Sequence, residues 1–343
     1  MPSLDIFLNN PAFSLMSLTA SIDKVPFLPG QAGKLGIFGE EGITTTALEI
    51  ELRNGTLYLV PNTPRGAPAL QNSRDQRLVR YFKTTHLPVR DRIMADEIQN
   101  KRAFGRENDQ EVAESEVAKR QVKMARALDA TTEFQKIGAL QGRILDSNGT
   151  TVIYNLFNEF GVVQQTLDFT LGSATANVIG NCTIVRGYIQ DALGQDGGDD
   201  LEVGCFCGPQ WFAEFISHPL VRDAYKYYET TALGMNPLQN DLRYIGFKFG
   251  GITFWQYRGN VGGVAFVASG EANFFPLNVP DLYKVYYAPA DYFETANTEG
   301  RPRYMKIAGD PSGFNKFVQL EAQSNPLAMC HRPEVLIKGT TSS

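Results

Sequence analysis

Leu48-Glu-Ile-Glu-Leu-Arg-Asn-Gly-Thr-Leu-Tyr-Leu-Val-Pro-Asn-Thr-Pro-Arg-Gly-Ala-Pro68 joins an alternating strand, a turn and a segment that cannot pair regularly. Leu48, Ile50 and Leu52 alternate with Glu49, Glu51 and Arg53, the period of a half-buried strand. Asn54-Gly55 favours a two-residue turn with positive φ, and Leu57 and Leu59 alternate with Tyr58 beyond it. The stretch is therefore a β-hairpin or the base of a longer two-stranded excursion. From Pro61 to Pro68 three prolines remove backbone donors and hold the chain extended, so a projecting loop follows.

The charge changes sign on the C-terminal side of this loop. Residues 74–106 carry nine bases against four acids, and 107–133 carry seven acids against four bases. Blocks of opposite sign can meet within a subunit or between subunits, as a symmetric assembly would allow, or can simply be solvated. The acidic block lies in 32 residues without Gly or Pro, between Gly105 and Gly138, that are rich in good helix formers. If all helical, they span roughly 48 Å. Ala113, Val117, Met124 and Leu128 fall on one narrow stripe with Gln121 among them, so the helix is expected to rest on its fold along one side.

On the N-terminal side, the first 40 residues interleave Pro and Gly with Phe, Leu and Ile, the pattern of an extended arm ordered by contacts. Further along, Arg143 to Phe157 reads as a second hairpin turning at Asp146 to Gly149, and Ala174 to Leu193 as a helix. An acidic, glycine-rich loop, 194–200, is expected to be a surface loop and not a calcium site, because no glutamate follows at the EF-hand spacing. Gly208-Pro209 opens a helix with Trp211, Phe212, Phe215 and Ile216 on one side, and a second helix runs from Pro219 to Tyr228. Strands resume around Gly250-Gly251, and Val318, Leu320 and Ala322 alternate near the C-terminus.

The 343 residues hold 32 Lys+Arg and 37 Asp+Glu, a net charge of −5, which argues against a dedicated nucleic-acid binder. With 43% apolar residues the chain folds around a core, and no run reaches a membrane-spanning length. Met1 to Leu8 has no basic residue and does not read as a secretory signal. The expectation is a soluble protein made in a cytoplasm. Four cysteines suit a reducing compartment. Cys205 and Cys207 share a strand face, and their plain reading is as buried thiols, not a metal site. Three histidines, each within two residues of a proline, and the lack of any nucleophile-elbow, P-loop, dinucleotide or zinc motif lead to the expectation of no catalytic residues, no metal and no cofactor.

The ordered features resemble one family, the phage major capsid proteins of the lambda E type. The resemblance rests on Asn54 to Pro68, on Tyr81-Phe82-Lys83 leading to His86-Leu87-Pro88, and on Met94 to Gly105. It continues through Gly208-Pro-Gln-Trp-Phe212, Asn297-Thr298-Glu299-Gly300 and Gln319 to Pro326-Leu327. It implies an α+β chain of the Hong Kong 97-type capsid fold, with an N-terminal arm, an extended β-hairpin loop, a peripheral domain carrying a long spine helix, and an axial domain. The implied divisions are 1–40 (arm), 41–90 (hairpin and loop), 91–189 (peripheral), 190–293 (axial) and 294–343 (strands returning to the peripheral domain).

The implied function is a head protein forming hexamers and pentamers of an icosahedral shell around packaged double-stranded DNA, which it contacts weakly. The alternative is the shell of a cellular cargo-enclosing nanocompartment. Implied partners are copies of the chain, a separate scaffold/protease, a portal and, left open, a decoration protein. No membrane is involved, and the location is the virion, assembled in a bacterial host cytoplasm. Leu57, Tyr58, Pro64, Arg65, Arg74, Arg77 and Arg80 are the loop's candidate contacts to neighbours. Glu111, Glu114 and Glu116 on a spine helix are the carboxylates such arginines would meet. No motif for a Lys-Asn crosslink is found.

Overall fold

The computed structural model describes residues 13–23, 30–53, 77–99, 109–194, 201–224 and 246–342. In chain order it begins with helix α1 (Leu15–Asp23), the short helix α2 (Gln31–Lys34), and strands β1 (Gly39–Gly42), β2 (Ala47–Arg53), β3 (Arg77–Lys83) and β4 (Leu87–Met94). Helix α3 (Ala95–Gln99) precedes the 32-residue helix α4 (Asp109–Leu140), followed by β5 (Arg143–Leu145), β6 (Val152–Asn155), α5 (Leu156–Phe160), β7 (Gln165–Asp168) and α6 (Val178–Leu193). Strand β8 (Glu202–Cys207) and helix α7 (Pro209–Ser217) lead to β9 (Phe247–Phe249), β10 (Ile252–Gln256), β11 (Asn260–Val261), β12 (Val264–Ala265), β13 (Glu271–Leu277) and β14 (Tyr283–Tyr287). The chain closes with β15 (Tyr304–Gly309), β16 (Phe317–Ser324), β17 (Pro326–Cys330) and β18 (Ile337–Thr340).

A mixed sheet in the order β7-β18-β13-β8-β10-β9 holds the larger core. Its central strand β8 is buried at five of six positions, as a strand covered on both faces must be. Cys205 pairs in register with Phe254 and Phe274. These two rings pack against Trp211 and Phe215 of α7, with Phe215 and Phe254 centred 4.4 Å apart. Phe206 meets Trp255, Phe275 and Tyr257. The Sγ atoms of Cys205 and Cys207 lie 3.4 Å apart inside this sheet. Burial pushes the Cys205 thiol well above its ordinary pKa and Cys182 up to about 12, so both remain neutral core thiols.

A second sheet, β15-β16-β4, forms a smaller core with α1 and the N-terminal part of α4. Val318, Leu320 and Ala322 supply its buried face, as their alternation predicts. A third sheet, β1-β14-β17, lies where α4 passes β17.

Several expectations need correction. The described part of the arm is helical at 15–23, because Leu18 and Ile22, one turn apart, bury against this subunit's own sheet. Helix α4 rests along one side only in its first half, since every residue from Thr132 to Leu140 is buried. The second hairpin ends at Asn155, whose side chain accepts the Asn158 N–H and caps α5, so Leu156 belongs to that helix. The last strand, β18, pairs with β13 and β7 in the six-stranded sheet. The helix after Pro219 is described to residue 224, and the loop at 195–200 lies outside the described residues.

Candidate assembly interface

The candidate interface begins where β2 and β3 leave the fold. They pair antiparallel from Ala47 opposite Lys83 to Arg53 opposite Arg77. Residues 48–53 are thus part of the first strand of a two-stranded ladder whose second strand is 77–83. The expected turn at Asn54-Gly55 and the candidates Leu57, Tyr58, Pro64, Arg65 and Arg74 lie outside the described residues.

One face of the ladder is fastened down. Phe82 is fully buried, stacks on Phe160 with centroids 5.9 Å apart and meets Tyr154 edge-on at 5.5 Å. The Tyr154 hydroxyl accepts the Lys83 N–H at 2.9 Å and donates to the Lys83 carbonyl at 3.0 Å, clamping the strand by both backbone groups. Arg80, opposite Ile50, places its guanidinium carbon 5.8 Å from the Phe160 ring centre. Among the described residues its buried Nε has no hydrogen-bond partner and no carboxylate pairs with it. The other face presents Glu49 and, across from it, Tyr81, which is 69% exposed. Arg77 is the last paired residue of β3.

The long helix holds the surrounding segments through polar groups that face the interior. Ser21 Oγ of α1 donates to Gln121 at 3.1 Å, and Arg303 pairs with Asp129 at 3.2 Å while donating to the Ile22 carbonyl at 3.0 Å. Glu133 accepts from the Ala32 and Gly33 amides and the Tyr257 hydroxyl. Gln135 reaches Thr85, and the buried Lys136 ammonium reaches Glu40 at 3.1 Å. In the first half, Arg120 donates to both oxygens of Asp91 at 2.9 Å and to Glu97 at 2.7 Å. Burial opposes ionisation of Asp91, but the Arg120 bonds outweigh it and hold the carboxyl below its ordinary range. Within the chain, the helix thus offers the base and the segment before it the acids, the reverse of the expected pairing between charge blocks.

Of the three helix carboxylates read from the sequence, Glu111 sits in the first turn of α4 and Glu114 is exposed. Glu116 is only 4% exposed and bonds Lys119 of its own helix at 2.7 Å, so it does not lie on the open side. The Phe82–Tyr154–Phe160 anchor and the Asp129–Arg303 pair were not singled out from sequence.

The three histidines make separate contacts. His86 Nδ1 lies 2.8 Å from Asn325 Oδ1, His218 Nε2 lies 3.1 Å from the Ser173 carbonyl, and His331 Nε2 lies 3.1 Å from the Tyr286 hydroxyl. A groove of about 710 Å³ at the foot of the ladder is lined by five threonines together with His86, Asp291 and Asn325, with Phe293 fully exposed among its lining residues.

The family described as phage major capsid protein E matches residues 14–341. The chain belongs to that family. A major capsid protein of Pseudomonas phage KPP10 is 30% identical over 99% of this chain and 98% of its own length. One from Salmonella phage Felix O1 is 26% identical over 95% of each. The capsid structure of cyanophage P-SCSP1u, 10% identical, superposes with a TM-score of 0.52 over 90% of this chain and 87% of its own, and shows the shared fold. The capsid protein is thus an α+β chain of the Hong Kong 97 type, a structural component of the virion that works as a homo-oligomer. No helix among the described residues is long and apolar enough to cross a membrane.

Proposed function

We propose that this capsid protein builds hexamers and pentamers of an icosahedral head around packaged double-stranded DNA, using the β2–β3 excursion as its main reach onto neighbours. The carrying observation is the unbroken ladder from Ala47–Lys83 to Arg53–Arg77, whose base is fixed by Phe82 while its open end hands the chain to residues 54–76. Prolines 61, 64 and 68 reduce the ordering entropy lost when that segment docks. Leu57, Tyr58 and Pro64 supply its apolar contact, and Arg65, Arg74, Arg77 and Arg80 meet carboxylates of adjacent copies. Arg80 has the strongest support, because its Nε has no hydrogen-bond partner among the described residues. Glu111 and Glu114 are the acceptors on a neighbour's α4, and Glu116 is withdrawn because it is buried at home.

The same reading divides the chain into an arm to residue 40, the loop unit 41–90, a peripheral domain 91–189 and an axial domain 190–293. The segment 294–343 returns to the peripheral domain, its strand 337–340 pairing with 165–168 of that domain on one side and with 271–274 on the other. A chain of net charge −5 holds DNA weakly, with counter-ions neutralising most of the phosphate. Assembly takes place in the host cytoplasm with a separate scaffold/protease and a portal. Both full-length curated relatives are phage capsid proteins, which favours the head over a cargo-enclosing compartment.

Excising 56–74, with a short glycine bridge, tests the loop. The cut must stop before Arg77, because residues 77–80 form half of the ladder. The expected product is a folded subunit that melts within a few degrees of the parent and forms no closed particles in electron micrographs when co-expressed with its scaffold. Parent-like shells from the excised chain would overturn the assignment.

A further inference from the structure

Helix α6 buries Val178, Cys182, Val185, Ile189 and Leu193 in the larger core. Its opposite side carries Gly180, Ile184, Gly187 and Asp191 at spacings of four, three and four, the stripe of a helix seam. Ile184 is 43% exposed and Tyr188, one turn on, 42%. Gly180 has a cause inside the subunit, since a Cβ there would lie 2.5 Å from the Asn177 amide that caps the helix. Gly187 has none among the described residues: a Cβ there would meet none of their atoms within 4 Å, and the position is in mid-helix. Glycine is a poorer choice than alanine in a helix interior, so the subunit alone would be better served by alanine.

We infer that the Gly180–Ile184–Gly187 face of α6 is a contact between copies of this chain in the shell, with Gly187 giving a neighbour's backbone close access. The inference rests on the shell reading above. A 16-residue helix is about 24 Å long, and a seam about 10 Å wide covers roughly 500 Å² counting both partners. That is well short of the roughly 1,200 Å² that sustains a free-standing complex, so an unattached partner would not stay. Another copy, already tethered by the rest of the lattice, needs no more.

The test places a benzophenone side chain at position 184 and, separately, makes Gly187→Leu and Gly187→Ala. In shells, illumination is expected to join subunits into covalent dimers, and in dissociated subunits to join none. Gly187→Leu is expected to cut the yield of closed particles at least tenfold while the free subunit melts no lower than the parent. Should the leucine variant fail to fold, Gly187→Ala decides, raising the melting temperature of the free subunit and lowering that of the shell. Links confined to one chain, parent-like shell yields from Gly187→Leu, or a shell stabilised by Gly187→Ala would each overturn the proposal. A parent chain that forms no shells under the same conditions would instead remove the shell reading, and this contact with it.

Discussion

At Glu133 three donors, the amides of Ala32 and Gly33 and the hydroxyl of Tyr257, converge on a carboxylate that is 3% exposed. Burial pushes its pKa above the ordinary 4.5, and the three bonds with the nearby Lys136 charge only partly pull it back. The folded state therefore holds the proton more tightly than the unfolded chain. This group's contribution to stability is complete below about pH 4.5 and is lost as pH rises through the raised folded value. Glu133→Gln removes that dependence. Denaturant titrations at a series of pH values should show the parent losing stability relative to the variant from pH 4.5 upward, with the difference flat once the folded group is ionised. A difference that shrinks over the same window would mean that the hydrogen bonds outweigh the burial.

The β2–β3 ladder behaves as an element hung from one side chain. Phe82→Ala empties the space between Tyr154 and Phe160, a change that costs about 3–5 kcal/mol in a well-packed site. The loss should fall on the ladder, because Phe82 is its only fully buried residue among the side chains described there. Hydrogen exchange of the 47–53 and 77–83 amides should accelerate by two orders of magnitude or more, with 202–207 and 271–277 unchanged. The first strand of this element was plain in the alternation of Leu48, Ile50 and Leu52. Its partner was not, because Asn54-Gly55 and the 57–59 run make an equally good local hairpin, and the pairing with 77–83 is set by tertiary contacts. The arm's helix was hidden by flanking prolines, although Leu18 and Ile22 have helical spacing. The second half of α4 was unreadable for a different reason. Asp129, Glu133, Gln135 and Lys136 look like a solvated face, and are buried only because partners up to 174 residues away (Arg303 for Asp129) satisfy them.

On the scale of the whole molecule, α4 joins two cores that share few other elements. Its residues Ala113, Val117, Met124, Ala125 and Leu128 belong to the smaller core, and Phe134, Ile137, Ala139 and Leu140 to the larger. The smaller core also takes in α1 and the sheet β15-β16-β4, tied across by Arg303 to Asp129 and by Arg120 to Asp91. A shell subunit has reason to keep these units separable, since one can then adjust to its neighbours while the other holds its form. Leu320 is fully buried at the centre of β16, and Leu320→Ala should cost 2–5 kcal/mol. If the cores open separately, exchange of the 87–94, 304–309 and 317–324 amides rises by the full factor that this cost implies, while β8 and β13 keep the parent's protection. Equal loss in β8 and β13 would show instead that α4 couples the two cores into one cooperative unit, and that the subunit enters the shell as a single rigid piece.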